Sequence, residues 1–192
     1  MITLVSLLSV DSIFYNPKNK TDITTAVRQK FYNRSSDHIT LLRVYKAAEE
    51  NNFNPDWCQR HYLNIRALQT AANVRKQLKQ ICKKIGVPLI TSKKWEENIC
   101  SALLYGLLEN VAVRQPDASY VSLSNRQQAK LHPSSVLCLL AQESAPEMVV
   151  FDEMVLTSAN YLRTCSVVEK SWYQRLVSLS GQDVVSGQDV VS

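Results

Sequence analysis

The sequence predicts an α+β fold in which a helical region precedes a region of strands. Apolar residues recur every three or four positions through the first 110 residues, as on one face of a helix. After Pro116 the pattern changes to short runs rich in β-forming residues, separated by polar or proline-containing turns. At 192 residues and 45% hydrophobic composition, the chain can bury a core in one large domain or two small ones. Because the two kinds of element are segregated along the chain, the prediction is α+β rather than α/β.

The helices before residue 60 are predicted from capping residues and helical spacing. Polar residues 19–22 can cap a helix over residues 23–32, and Ser36 and Asp37 can cap a run in which Leu41, Tyr45 and Ala48 recur at helical spacing. Pro55 opens a short turn. The apolar segment 1–10 is too short to span a bilayer and is not followed by a signal-cleavage pattern, so we interpret it as part of the core.

The clearest helix is predicted over residues 64–85 and is ended by Gly86 and Pro88. Its apolar residues step by three and four along one stripe: Leu68, Ala71, Val74, Leu78, Ile81 and Ile85. We expect this whole stripe to face the core. A further helix is predicted over residues 94–111.

Five strands and a closing helix are predicted in the second half of the chain. The strands cover residues 119–123, 129–132, 136–140, 148–157 and 161–168, and the helix covers residues 169–177. This count is expected of an oligonucleotide-binding barrel, although other small barrels share it. The hexapeptide Gly-Gln-Asp-Val-Val-Ser then occurs twice, at 181–186 and 187–192, and we interpret it as a disordered tail.

Positive charge is concentrated between Trp57 and Trp95. This segment has nine basic and no acidic residues, whereas the rest of the chain has 13 basic and 17 acidic residues. The nine are Arg60, Arg66, Arg75, Lys76, Lys79, Lys83, Lys84, Lys93 and Lys94. Such a field attracts polyanions, which makes nucleic acid the first candidate ahead of an acidic membrane surface or an acidic protein. A merely solvated helix face is the structural alternative.

The basic residues of the 64–85 helix are not spread evenly around it. At about 100° per residue, five of them lie opposite the apolar stripe: Arg66, Lys76, Lys79, Lys83 and Lys84. Arg75 lies at the flank of the stripe, where it can either brace the core or contact phosphate. The helix is therefore predicted to be apolar on one side and cationic on the other.

The sequence gives little support for catalysis. Its four glycines include no Gly-x-x-x-x-Gly-Lys-Ser/Thr loop, so no phosphate-binding loop is predicted. Cys58 and His61 stand three residues apart and could form a nucleophile and base, although a buried thiol beside Trp57 is the ordinary alternative. Five scattered cysteines and three histidines predict neither a disulfide framework nor a metal site. Reduced thiols favour an intracellular protein.

Five ordered motifs resemble the C-terminal region of the DEAH-box RNA helicases. They are Ser36-Asp37-His38-Ile39-Thr40-Leu41-Leu42, Trp57-Cys58-x-x-His61-Tyr62-Leu63-Asn64, Leu68-x-x-Ala71-x-x-Val74-Arg75-x-Gln77-Leu78, His132-Pro133-Ser134-Ser135-Val136-Leu137 and Thr157-x-x-x-Tyr161-Leu162-Arg163. The resemblance covers residues 1–178. It implies a truncated ratchet-like helical domain over residues 1–112, an OB-fold barrel over 113–178 and a tail over 179–192, without the ATPase domains of the family.

The resemblance also implies where RNA binds. The residues carried over from the family motifs are Arg75, Ser134, Ser135, Thr157 and Arg163, each of which has a structural role as its alternative. Charge adds Arg66, Lys76, Lys79 and Lys83. The expected function is a non-catalytic module that binds single-stranded RNA, and the rival is a protein-interaction module that never contacts RNA.

The remaining expectations concern cofactors, partners and location. No cofactor or metal is expected in this chain, whereas ATP and magnesium belong to the suspected parent helicase. The resemblance implies a G-patch activator and the helicase core as partners, no membrane association, and a nuclear or nucleolar location with mRNA splicing among the processes served.

Overall fold

The computed structural model describes residues 1–17, 21–139 and 145–180. The chain divides into two compact units. The helical unit comprises Met1–Tyr32 and His38–Lys93, and the barrel unit comprises Asn33–Asp37 and Lys94–Ser192. This division places residues 94–112 with the barrel, whereas the predicted boundary lay after residue 112. The repeated hexapeptides lie outside the described residues.

The helical unit contains the first five α-helices. These are α1 (Ile2–Leu8), α2 (Thr21–Arg28), α3 (Asp37–Glu50, of which Asp37 belongs to the barrel unit), α4 (Pro55–Arg60) and α5 (Ile65–Lys84), with a short 3-10 helix η1 (Gln29–Phe31). Asn54 and Asn64 cap α4 and α5 by accepting the backbone N–H groups of Trp57 and Ala67. The predicted core role of the opening segment is confirmed for Leu4 and Leu7, which are buried.

The long helix α5 buries only its first half. Ala67, Leu68 and Ala71 are buried, but Ile81 and Ile85 are 51% and 67% exposed. The prediction that the whole apolar stripe faces the core is therefore wrong for the C-terminal half of the helix. Periodicity reveals which face of a helix is apolar, but it does not reveal how far along the helix a neighbour extends.

The barrel unit is a closed five-stranded barrel flanked by two helices. Its elements are α6 (Trp95–Gly106), β1 (Val111–Arg114), β2 (Tyr120–Ser122), β3 (Gln128–Leu131), the 3-10 helix η2 (Val136–Leu139), β4 (Met148–Leu156), β5 (Asn160–Val167) and α7 (Lys170–Ser180). The strand order around the barrel is β1-β2-β3-β5-β4. Among the five described strands, only β3 and β5 pair in parallel. The predicted α+β class with an OB-like barrel is confirmed.

One predicted strand is wrong and another was missed. Residues 136–139 form the 3-10 helix η2 rather than a strand, and Leu140 lies outside the described residues. The backbone N–H of Val136 is bound by Asp37, and that of Leu137 is bound by the Ser135 hydroxyl, so the helix start is capped. The missed strand is β1: the helix predicted over residues 94–111 includes only its first residue, Val111, and that helix stops at Gly106.

The segment Asn33–Asp37 pairs with the part of β5 that extends beyond its pairing with β3. Ser36 forms an isolated antiparallel bridge with Ser166, and the two hydroxyl oxygens lie 2.6 Å apart. The backbone N–H of Val167 donates to Ser35 O at 2.8 Å. The second half of β5 therefore has backbone partners beyond the end of its pairing with β3.

Candidate functional site

A cationic groove runs along the C-terminal half of α5. Its volume is about 660 Å³ and its lining residues are Ala72, Arg75, Lys76, Lys79, Gln80, Lys83, Gly86, Val87 and Leu89. Gly86 adopts a left-handed conformation with φ +75°, and the N–H of Val87 returns to Cys82 O at 2.9 Å. This reversal places Val87 and Leu89 in the wall of the groove.

The groove brings together four of the predicted RNA-binding residues and no acidic one. Lys76 and Lys83 are exposed, and Lys79 is half-buried. Within the described part of the chain, none of these three lysines makes a hydrogen bond or an ion pair. Because their ammonium groups have no internal counterion, an anion that enters the groove does not have to displace one. The two apolar wall residues offer contact for a less polar part of the same ligand.

Arg75 is held in place by partners inside the helical unit. Its Nε donates to Thr3 Oγ1 at 2.9 Å, and its NH1 pairs with Glu49 Oε1 at 2.8 Å. The guanidinium carbon also lies 5.6 Å from the centre of the Tyr45 ring. Arg75 thus joins α1, α3 and α5 while one side of it lines the groove. These contacts directly support the structural role of Arg75, in which it braces the packing of the three helices.

Arg66 stands apart from these residues. It is exposed in the first turn of α5 and does not line the groove. With a rise of about 1.5 Å per residue, it lies about 15 Å along the helix axis from Lys76. A contact between Arg66 and RNA would therefore need a longer ligand than the groove itself holds.

The two serines of the His-Pro-Ser-Ser motif have different environments. Ser134 is exposed, whereas Ser135 is 4% exposed and its hydroxyl donates to Asp37 Oδ2 at 2.6 Å. The structure therefore gives Ser135 an internal hydrogen bond, which is the structural alternative named for it, and contact of either serine with RNA stays a prediction. Adjacent residues of one turn point in different directions, and their identities alone do not reveal which one is buried.

Ser134 closes a small turn against His132. The imidazole Nδ1 accepts the backbone N–H of Ser134 at 3.1 Å and lies 2.7 Å from its Oγ. Because a backbone N–H can only donate, Nδ1 is unprotonated, and the proton of the neutral ring is on Nε2. Burial and the nearby Arg163 cation lower the pKa of His132, which favours this neutral form. If the hydroxyl of Ser134 turned to a ligand, Nδ1 would still be satisfied.

The outer face of β3 and β5 presents basic and aromatic side chains together. Lys130 is the direct partner of Tyr161 across the parallel pair, and Arg163 follows Tyr161 by two residues on the same face. The His132 and Tyr161 rings meet edge to face at 5.7 Å. Arg163 pairs with Glu153 at 3.0 Å. Lys130 and Tyr161 were not predicted as site residues, although a basic residue beside an aromatic one at strand spacing would have been the signal.

Thr157 lies in the tight turn between β4 and β5. Its backbone N–H donates to Ala159 O at 3.0 Å, and its hydroxyl makes no hydrogen bond to any residue that the structure describes. The turn exposes Thr157 together with Leu156. In OB-type barrels the β4–β5 loop is one of the ligand-contacting loops, so the position is suitable for a polar contact.

The second chemical possibility, a Cys58–His61 pair, has no support in the geometry. Cys58 is buried, and burial raises the pKa of its thiol, which is the reverse of what a nucleophile needs. The Nδ1 of His61 lies 2.7 Å from Trp57 O rather than facing the sulfur. All five cysteines are free thiols. Among the described residues no cluster of three metal-ligating side chains occurs, and no helix is long and apolar enough to cross a membrane.

Comparison with known proteins finds a family model that matches the barrel and relatives that match most of the chain. A family model described as the oligonucleotide/oligosaccharide-binding (OB) fold matches residues 99–179. The chain is 36% identical over 172 residues to the ATP-dependent RNA helicase DHX33 of Mus musculus and 35% identical over 172 residues to that of Homo sapiens. It is 31% identical over 176 residues to the probable ATP-dependent RNA helicase DHX35 of Pongo abelii.

These alignments cover most of this chain but little of its relatives. They include 90% to 92% of the chain and 24% of each relative, so the chain spans about a quarter of the length of the helicases it matches. The chain is homologous to DEAH-box RNA helicases over this region, and the resemblance inferred from its motifs is confirmed.

Proposed function

We propose that this chain is a non-catalytic, helicase-associated module that binds single-stranded RNA. The observation that carries the proposal is the α5 groove, in which Arg75, Lys76, Lys79 and Lys83 converge without any acidic residue. The matching relatives are named ATP-dependent RNA helicases, and the family of the barrel is named for oligonucleotide or oligosaccharide binding. The charge of the groove, its shape and the similarity to RNA helicases therefore all favour RNA as the ligand.

The groove has the dimensions for a short stretch of nucleic-acid backbone. Lys76, Lys79 and Lys83 span about 10 Å along the helix axis, so they can meet two or three phosphates. Binding through phosphates releases counterions and carries little sequence information. Val87 and Leu89, which also line the groove, provide apolar contact for sugars or bases. In the barrel unit, Ser134, Thr157 and Arg163 are proposed as polar contacts of that unit's own with RNA.

ATP hydrolysis is assigned to the parent activity and not to this segment. The 192 residues contain no Gly-x-x-x-x-Gly-Lys-Ser/Thr loop with which backbone amides could hold a nucleotide's phosphates. ATP and magnesium, ATP-dependent unwinding, and a nuclear or nucleolar location with a role in mRNA splicing accordingly belong to the proposal for a larger helicase. A G-patch-type activator is the partner proposed for that assembly.

The test is a binding titration with two charge-matched variants. A fluorescein-labelled 12-nucleotide oligouridylate is titrated with the wild-type chain, with Lys76→Ala/Lys83→Ala, and with Lys46→Ala/Lys84→Ala. Both variants lose two positive charges from exposed positions of the helical unit, but only the first pair lines the groove. We expect the groove variant to bind at least tenfold more weakly and the control to bind within about twofold of the wild type. Equal losses would show that only net charge matters and would contradict the groove as the site.

A protein-docking role is the second candidate, and one observation favours it. The end of α5 and the segment after it expose five large apolar residues, namely Ile81, Ile85, Val87, Leu89 and Ile90. Exposed apolar side chains in a cluster of lysines would suit an acidic amphipathic partner. If the oligouridylate does not bind at low salt, this candidate replaces RNA binding as the function of the helical unit.

A further inference from the structure

The carboxylate of Asp37 is the centre of a buried hydrogen-bond cluster in the barrel unit. Its Oδ1 accepts the backbone N–H of Val136 at 2.7 Å. Its Oδ2 accepts the Ser135 hydroxyl at 2.6 Å and the backbone N–H of Cys165 at 2.8 Å. One side chain therefore ties the segment Asn33–Asp37 to η2 and to β5.

The exposed turn that carries Ser134 is fixed on both sides of that residue. On one side, the backbone N–H of His132 donates to Leu162 O at 2.9 Å, which attaches this end of the turn to β5. On the other side, Ser135 and Val136 are held by Asp37. Ser134 lies between these two attachments, so the direction of its hydroxyl depends on both. Asp37 is distant in the sequence, whereas the other side chain that reaches the turn, Cys138, belongs to the adjacent η2 and donates its thiol to His132 O at 3.2 Å.

We propose that Asp37 is a positioning residue for RNA recognition, which fixes the 132–136 turn so that the Ser134 hydroxyl meets an RNA phosphate. This inference rests on the proposed function. Asp37 is 8% exposed and does not contact the ligand itself. Its effect on RNA affinity is exerted through Ser134, and it is absent when Ser134 has no hydroxyl.

The substitution Asp37→Asn disturbs this arrangement without changing its size. An amide has one accepting oxygen, whereas the carboxylate uses both of its oxygens as acceptors here. One side of the asparagine would place an NH₂ group against a backbone N–H. If the NH₂ group replaces Oδ1, the backbone N–H of Val136 loses its acceptor and the turn is released from Asp37 on that side. If it replaces Oδ2, the backbone N–H of Cys165 loses its acceptor and the Ser135 hydroxyl can no longer donate to residue 37. Ser135→Ala removes the hydroxyl that donates to Asp37 and accepts the backbone N–H of Leu137, but it leaves the N–H groups of Val136 and Cys165 bound to the carboxylate.

The test is a double-mutant cycle on the full chain with the labelled 12-nucleotide oligouridylate as the probe. Ser134→Ala alone and Asp37→Asn alone should each weaken binding about fivefold, as expected for the net contribution of one solvent-exposed hydrogen bond. The double variant should also bind about fivefold more weakly, rather than about 25-fold, because both changes remove the same contact. The cycle is repeated with Ser135→Ala in place of Asp37→Asn, so that a conclusion is reached even if the asparagine variant does not fold.

A packing variant separates positioning from loss of stability. Val177→Ala removes buried volume from α7, an element outside the 132–136 turn, and its melting temperature should fall while the RNA affinity of the folded protein is unchanged. The inference would be overturned if the affinity losses of the two single variants multiplied in the double variant in both cycles. It would also be overturned if the Asp37→Asn protein were less stable but bound RNA normally, and in either case the proposed function would stand. A wild-type chain that does not bind RNA would overturn both.

Discussion

Ser135 Oγ donates a hydrogen bond of 2.6 Å to Asp37 Oδ2 across 98 residues of sequence. Both groups are buried, and both belong to the barrel unit although Asp37 begins helix α3. The bond places the residue that opens one element against the turn that precedes another. The stability of the barrel therefore depends on a residue far outside the strands that form it.

Replacing Asp37 should reveal the balance between its burial and its hydrogen bonds. Burial raises the pKa of the carboxyl above its ordinary value, while the bonds from Ser135, Val136 and Cys165 lower it, and the net direction is upward. A raised folded-state pKa means that the native state binds a proton more tightly than the unfolded state, so this group's contribution to stability falls as pH rises above about 4. We expect Asp37→Asn to lower the free energy of unfolding by about 1–3 kcal/mol.

The pH dependence of that loss is the decisive part of the measurement. Urea unfolding is measured for the wild type and for Asp37→Asn at several pH values between about 4 and 7. The difference between their free energies of unfolding should shrink as pH rises. A difference that grows with pH would mean that the three donors outweigh burial and hold the pKa below its ordinary value.

Substitutions of Arg75 should separate its bracing role from its charge. Arg75→Lys keeps a cation at the groove but loses the fork that binds both Thr3 and Glu49. We expect it to cost about 1–2 kcal/mol of unfolding free energy with RNA affinity nearly retained. Arg75→Ala should lower both the free energy of unfolding and the RNA affinity, as measured by chemical denaturation and by RNA titration. If lysine restores neither stability nor affinity, the charge of Arg75 has no part in binding.

The exposed end of α5 should promote self-association. Ile85, the C-cap residue of α5, is 67% exposed, and Ile85→Gln replaces it with a polar residue. Sedimentation velocity should show oligomers of the wild type that decline in the variant, while the melting temperature changes little. The control Leu68→Gln, at a fully buried position of the same helix, should unfold the helical unit. A wild type that sediments as a single monomer at all concentrations would contradict this prediction.

Calorimetry with ATP and magnesium should show no binding to this chain. The expectation follows from the absence of a phosphate-binding loop among its 192 residues. Specific binding at micromolar ATP would show that a nucleotide site exists without that loop, and the non-catalytic assignment would then be wrong.

Strong local patterns made part of the fold predictable from the sequence. The helix predicted over residues 64–85 is Ile65–Lys84, and the strands predicted over 148–157 and 161–168 are Met148–Leu156 and Asn160–Val167. β1 was missed because its four residues follow an apolar helix without a clear break in composition. Residues 136–139 have strand-forming side chains, but the Asp37 and Ser135 caps make them a 3-10 helix.

The candidate site was predictable in its charges but not in its shape. The spacing of Lys76, Lys79 and Lys83 identified one wall of the groove, since helical geometry fixes which residues share a face. The other wall depends on the chain reversal at Gly86, and the different roles of Ser134 and Ser135 depend on the distant Asp37. Contacts between residues far apart in the sequence leave no local pattern from which to infer them.

The most direct test of RNA binding is its salt dependence. The affinity of the wild-type chain for the labelled 12-nucleotide oligouridylate is measured by fluorescence anisotropy at increasing salt concentrations. If the groove neutralises phosphates, log affinity should fall linearly with log salt by about 0.7 per contact, and Lys76→Ala/Lys83→Ala should reduce the slope by about 1.4. A slope near zero, or an unchanged slope in the variant, would contradict phosphate binding in the α5 groove.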